Sequence, residues 1–371
     1  MTREIKQHQG GSFLVGELPR GCVFCARGSK MVLFVTGLCD SSCYYCPLSQ
    51  EKAGTDVVFA DELPVSTEDD ILFEVDAIEG EGAGMSGGDP LCTLDRTVKY
   101  IHLLKSRYGS DFHIHLYTSK ASVSQQDLGR LQEAGLNEIR FHPQSDDWSG
   151  IERAVATGMD VGLEVPAIPG STEWLKQTAR RAEEVGASFL NINELEASET
   201  NFESLLAQGM RLTDMASASI AGSADTAREV VEWAANNLTR LSVHFCSARY
   251  KDAIQLRNRL ERRLEQTIRE FEERDDTDPL LVLGVIRARH GSSLRIQQLQ
   301  HIHGILRNQL GVPNNLINTD TVRMRIELAP RLLEEFAEEI KTGLADIEEL
   351  EIGVSYEYPT WDRLQIQFDP V

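Results

Sequence analysis

With 371 residues, 41% apolar and 26% charged, the chain is long enough for one large domain plus a small one, and its make-up is that of a soluble globular protein. Disordered, collagen-like and disulfide-stapled miniprotein classes are excluded, and no apolar run approaches the length that crosses a bilayer. The formal charge of −21, from 37 Lys and Arg against 58 Asp and Glu, disfavours a broad nucleic-acid-binding face and reads first as a solubility device. The opening stretch, MTREIKQHQGGS, is polar and lacks a hydrophobic signal core, so a cytoplasmic location without a membrane partner is expected.

Residues 1–30 read as an N-terminal extension carrying a Cys-x2-Cys knuckle, Cys22 and Cys25. The β-branched run at 31–37 ends in Gly and predicts a buried strand. Further strands are predicted at 83–86, 113–117, 138–141, 161–165 and 189–193, alternating with helices at 94–107, 124–134 and 172–185. Strand alternating with helix in this way implies a parallel sheet, open or curled into a barrel. Residues 198–240 read as mostly helical, and 241–246 as one more strand. A connecting helix is expected over 251–276, where Leu256, Leu260, Leu264, Ile268 and Phe271 form one apolar stripe. The tail, 277–371, follows a β-α-β-α-β-β order (280–288, 294–310, 322–328, 330–344, 350–357 and 364–368). That order suits a small α+β domain, loosely ferredoxin-like.

Seven cysteines stand at 22, 25, 39, 43, 46, 92 and 246, an odd total with five crowded near the first long strand. Such crowding points to thiolates kept reduced for metal. Cys39, Cys43 and Cys46 begin two residues after the Gly that ends that strand, with Cys-x3-Cys-x2-Cys spacing. Three thiolates so close can hold three corners of a cubane cluster and leave the fourth iron without a protein ligand, whereas a zinc site usually brings a fourth ligand. The spacing, with Tyr45 just before the last Cys, resembles the signature of the radical S-adenosylmethionine (SAM) superfamily. The resemblance has a second part, Ser86-Gly87-Gly88-Asp89-Pro90 after the next strand, where that superfamily carries a Gly-Gly-Glu-type motif and here has Asp.

The resemblance covers roughly residues 31–250, and more narrowly the chain looks like a group of archaeal proteins related to the pyruvate formate-lyase activating enzyme. It implies a partial (β/α)6 barrel over 31–250, with a [4Fe-4S] cluster on the three cysteines and SAM on the open iron. An electron from the cluster would break a carbon–sulfur bond, and the resulting 5′-deoxyadenosyl radical would take hydrogen from a substrate. By the same resemblance Tyr45, Gly87, Gly88, Asp89, Thr118, Ser119, Pro166 and Ile168 would meet the cofactor. Its partners would be a small-molecule or protein substrate and a low-potential donor such as a ferredoxin or flavodoxin. His142, Gln144, Asn191, Asn193 and Glu194 would face the barrel mouth, where such folds place their sites.

Cys22 and Cys25 form half a metal site, and His244 and Cys246, two apart on one strand, are possible further ligands. Either zinc or a second iron–sulfur cluster fits, as does a buried or free thiol pair. Cys92 reads as a small buried hydrophobe or as a thiol at the mouth. Arg249–Arg263 is locally basic, either a solvated helix face or a contact for an anionic substrate. Two other function classes stay open: a non-catalytic iron–sulfur protein for electron transfer or redox sensing, and a zinc-bearing interaction module built on Cys22 and Cys25.

Overall fold

Strands of alternating character and amphipathic helices take turns along most of the chain, and their order sets where the polar side chains gather. In the computed structural model, which describes residues 2–347 and 349–371, β1 (Ile5–Gln7) and β2 (Phe13–Val15) lead into a short helix, α1 (Arg20–Ala26). Next come β3 (Lys30–Thr36), the small strands β4 (Phe59–Ala60) and β5 (Leu63–Pro64), α2 (Glu68–Ala77) and β6 (Gly82–Gly87). The alternation continues through α3 (Leu94–Tyr108), β7 (His113–Thr118), α4 (Gln125–Ala134), β8 (Glu138–Phe141), α5 (Ser149–Val155) and β9 (Asp160–Ala167). It closes with α6 (Thr172–Val185), β10 (Phe189–Glu194), α7 (Phe202–Ala207), α8 (Ser223–Asn237) and β11 (Ser242–Cys246). The expected connecting helix is broken: α9 (Ala248–Tyr250) passes through a π-helical stretch, Lys251–Leu256, into α10 (Arg257–Thr267).

The chain divides into two units, Met1–Arg259 and Leu260–Val371. In the first, β3 and β6 to β11 pair in parallel, with β6 to β11 following β3 in chain order. Antiparallel β4 and β2 flank them at either side, and no hydrogen bonds among the described residues join the two edges. The sheet thus holds seven parallel strands and not six, because Ser242–Cys246 joins β10 and its free side takes β2. Helix α1 touches β3, β6 and β7, while Cys22 on it accepts hydrogen bonds from Arg140 of β8 and Asn191 of β10, so the sheet curls around this helix.

Strand alternation sorts the side chains. Leu33, Met85, Leu116, Ile139, Leu163 and Ile192 point outward into the apolar layer under the helices, where each fully buried Leu or Ile contributes roughly 1.5–3 kcal/mol. The opposite positions carry His113, His115, Glu138, Arg140, Glu164 and Asn191 into the curl. Gly21 is required there, since a Cβ on it would lie 2.5 Å from His115 Nδ1 and 2.8 Å from Arg140 Nη2.

The second unit contains β12 (Glu273–Arg274), β13 (Leu281–Ala288), α11 (Ile296–Asn308), β14 (Ile317–Asp320), β15 (Arg325–Leu328), α12 (Pro330–Gly343), β16 (Leu350–Glu357) and β17 (Gln365–Pro370). Its sheet is antiparallel, in the order β14-β15-β13-β16-β17 with β12 beside β13. β14 departs from the expected single strand at 322–328: Asp320 accepts from the amides of Val322 and Arg323 and folds this stretch into a hairpin. Leu299, Ile302, Leu306, Leu333 and Ile340 of α11 and α12 cover one sheet face. Among the described residues no helix is long and apolar enough to cross a membrane.

Candidate functional site

The loop between β3 and β4 carries Cys39, Cys43 and Cys46. Its base is tied where the Gly37 amide donates to Thr55 O (2.8 Å) and the Gly54 amide to Gly37 O (2.9 Å). All three thiols are free, and they line a cavity of about 210 Å³ together with Gly88, Thr118 and Ser119. The ends of β3, β6 and β7 therefore meet at the cysteine loop, as the C-terminal ends of parallel strands in a wound sheet must.

Two glycines allow this approach. Gly87 has φ +147° and its missing Cβ would stand 2.3 Å from Thr36 O; that of Gly88 would stand 2.4 Å from Leu38 O. The Gly88 amide donates to Thr36 O and the Asp89 amide to Leu38 O, both at 2.8 Å. The Asp89 carboxylate turns inward, onto Leu91, Thr118 and Ser119.

Tyr45 stands at the other limb of the loop. His142 Nδ1 faces the Glu164 carbonyl at 2.8 Å, an acceptor only, so Nδ1 carries the proton and Nε2 accepts from the Tyr45 hydroxyl at 2.8 Å. Burial holds the His142 imidazole below its ordinary pKa and pushes the Tyr45 phenol up, so the pair is neutral. Tyr45 also borders two further cavities. One of about 420 Å³ is lined by His142, Glu164, Pro166, Asn193, Glu194, Glu196 and Lys251. The other, about 630 Å³, is lined by Gln144, Trp148, Ile168, Trp174 and Arg181. Pro166 and Ile168 thus fall on different sides of Tyr45.

Sequence reasoning named Asn191 and Asn193 but missed the charged groups beneath the mouth, Glu138, Arg140 and Glu164. The Arg140 guanidinium bonds Glu138 Oε1 (2.5 Å) and Glu164 Oε2 (2.8 Å), while Asn191 and Asn193 donate to the Glu164 carboxylate at 3.1 and 2.9 Å. Burial opposes ionisation of Glu164, yet Arg140 and the two amides hold its carboxyl below the usual range. The available signal was a polar residue at every second position of strands whose other positions are Ile, Leu, Val and Phe.

Three of the four residues considered for a second metal make hydrogen bonds to protein groups. Cys22 Sγ accepts from Asn191 Nδ2 (3.1 Å) and Arg140 Nη1 (3.5 Å), His244 Nδ1 faces Asn191 Oδ1 (3.3 Å), and Cys246 Sγ accepts from Gln255 (3.6 Å). Among the described residues no group of three His, Cys, Asp or Glu side chains could hold a metal ion. Helix α1 enters the curl, where protein donors engage Cys22. Burial pushes the Cys22 and Cys246 thiols up, the setting of an unreactive thiol. A cubane cluster takes one thiolate per iron, so the Cys39 loop need not converge on a single point. Cys92 is half-buried on the turn after Asp89. In the basic segment, Lys251 pairs with Glu196 and Arg259 with Asp61 (2.6 Å), so these two cations already have protein counter-charges.

Comparison with known proteins gives two family matches: the radical SAM superfamily over residues 33–188, and a domain of unknown function over 280–371. A protein of Methanocaldococcus jannaschii, named as a candidate glycyl-radical enzyme activating enzyme, is 34% identical over 382 aligned positions that cover all of this chain and 96% of that one. Among solved structures, Streptococcus suis SuiB aligns with a TM-score of 0.41 at 10% identity, covering 59% of this chain and 49% of its own. Escherichia coli coproporphyrinogen III oxidase, titled a radical SAM enzyme, aligns with a TM-score of 0.37 at 14% identity, covering 59% and 56%. This chain thus spans about half the length of these structures, and likenesses so shallow add nothing to the full-length relative.

Proposed function

This chain belongs to the radical SAM superfamily and is an enzyme of that class, and from that premise we propose that Cys39, Cys43 and Cys46 hold a [4Fe-4S] cluster beside the ends of β6 and β7. The observation that carries this reading is that three free thiols of one loop share a cavity with Gly88, Thr118 and Ser119. The donor set fits: three soft ligands leave one iron open, and two glycines clear the backbone beside them. Bound there, the cluster and SAM would together supply, with one electron from a reductant, a 5′-deoxyadenosyl radical able to remove a hydrogen atom from a substrate.

The protein's own part is binding and exclusion. The backbone at Gly87 and Gly88 is read as receiving the methionine end of SAM. Tyr45, fixed by His142, divides the thiol cavity from the two larger ones and orients what lies between them, with Ile168 on one side and Pro166 on the other. The cavity of about 420 Å³ is read as the substrate chamber. The name of the M. jannaschii relative supports a glycine residue of a partner protein as the hydrogen donor. A low-potential ferredoxin or flavodoxin in the cytoplasm would supply the electron. Cys22, Cys25 and Cys246 are read as interior thiols and not as ligands of a second metal. The strand order of the second unit supports a ferredoxin-like domain with two added strands, β12 and β17. A passive electron carrier is less well supported, since it needs no cavity beside an open iron.

The test is anaerobic reconstitution followed by SAM and dithionite. About four irons and four sulfides per chain are expected, with 5′-deoxyadenosine formed. A Cys43→Ala protein that still forms 5′-deoxyadenosine would overturn the assignment.

A further inference from the structure

We propose that Asp89 is a positioning residue whose carboxylate clamps the ends of β6 and β7 to the Cys39 limb of the loop, and does not itself meet the cofactor. The proposal rests on the site reading above and deepens it. Asp89 is 1% exposed. Its Oδ1 accepts from the Leu91 amide (2.9 Å) and Thr118 Oγ1 (3.1 Å). Its Oδ2 accepts from Thr118 Oγ1 (2.9 Å), the Ser119 amide (2.8 Å) and Ser119 Oγ (3.0 Å). Four donor groups thus meet a carboxylate that offers about four lone-pair positions, so none is left for an incoming ammonium.

The hydroxyls are committed as well. Thr118 Oγ1 gives its proton to Asp89 and accepts from the Lys120 amide (3.1 Å), while Ser119 Oγ gives its proton to Asp89 and accepts from Ser41 Oγ (2.9 Å). From this hub three straps reach the cysteine loop: the Asp89 amide to Leu38 O (2.8 Å), Ser41 to Ser119, and Asp40 to Lys120 (3.3 Å). Leu38, Asp40 and Ser41 flank Cys39 on both sides. The place of Cys39 relative to the strand ends is therefore set from Asp89.

Asp89→Asn and Asp89→Glu separate a clamp from a ligand contact. An amide group stranded against the Ser119 N–H, or one extra methylene in a closed space, each disturbs the hub. The clamp predicts that both variants weaken SAM binding on the order of tenfold. Both would also speed hydrogen exchange of the Leu91 and Ser119 amides and iodoacetamide alkylation of Cys39 in the cluster-free protein. Wild-type affinity in Asp89→Glu would overturn the proposal, since charge alone would then suffice. So would weakened binding in Asp89→Asn with exchange and alkylation unchanged. Where either variant fails to fold, Ser41→Ala cuts one strap: faster Cys39 alkylation with affinity lowered a few-fold supports the clamp, and no change in either overturns it. Reconstituted wild-type protein that binds no SAM would refute the site reading, while exchange and alkylation would still decide the clamp.

Discussion

The chain builds two buried charge networks, and they differ in how completely they close. In the C-terminal unit, Arg325 bonds Glu357 (2.6 and 2.8 Å) and Glu327 (2.7 Å), Arg269 reaches Glu327 (2.6 Å) and Glu272, Arg363 reaches Glu272 (2.7 Å), and Ser355 donates to Glu357. Its carboxylates all meet cations on or beside one sheet face. Around α1 the network of Glu138, Arg140 and Glu164 is open: among the described residues His115 Nδ1, Arg140 Nη2 and His244 Nε2 have no hydrogen-bond partner, and Glu164 borders a cavity. A closed network specifies packing, whereas an open one beside a cavity keeps polar groups ready for a ligand.

The sharpest way to break that contrast is to remove each central arginine. Arg140→Met strands Glu138 and Glu164 and should cost about 3–5 kcal/mol in a denaturant titration, with 5′-deoxyadenosine formation lost in the protein that remains folded. Arg325→Met should cost a similar amount but leave iron content and SAM cleavage intact while the chain is folded; loss of both would erase the distinction. Gly21→Ala comes next, at about 1–3 kcal/mol, because its Cβ would press on His115 and Arg140. Unchanged stability there would mean that α1 does not enter the curl.

Acid sharpens the comparison further. Burial, with the nearby His8 charge, lowers the His244 pKa to about 3, and burial likewise holds His115 well below its ordinary value. The folded state therefore resists protonation of these rings. Stability that is fully present above about pH 6.5 should fall away as pH drops toward 3, and His244→Asn should flatten that slope. In the C-terminal unit burial opposes ionisation of Glu327, but Arg269 and Arg325 still hold it below the carboxylate range, so loss there should begin only at more acid pH. The smallest effect is expected from Lys251→Met at the rim, under about 1 kcal/mol in stability.

The outer architecture was legible because it follows simple periods. Helix 172–185 was read to its last residue, and the strands from 138 and 189 were placed within a residue of their ends. The cysteine loop was legible through spacing, which is a local property. What stayed hidden depends on distant packing. Helix α1 is seven residues long, too short to show a period, so nothing marked it as lying inside the curl. Glu138, Arg140 and Glu164 look individually like solvent-facing strand residues, and only the fold turns that face inward. Asp89 read as part of a glycine turn toward the cofactor; its four donors come from residues 91, 118 and 119, two of them a strand and a helix away.

The most direct test is spectroscopic. Reduced, reconstituted protein should give the electron paramagnetic resonance signal of a [4Fe-4S]+ cluster, and that signal should change when SAM is added, in wild type and not in Cys39→Ala, Cys43→Ala or Cys46→Ala, which should hold no such cluster. A cluster whose signal is indifferent to SAM, or one that survives loss of these cysteines, would contradict the account.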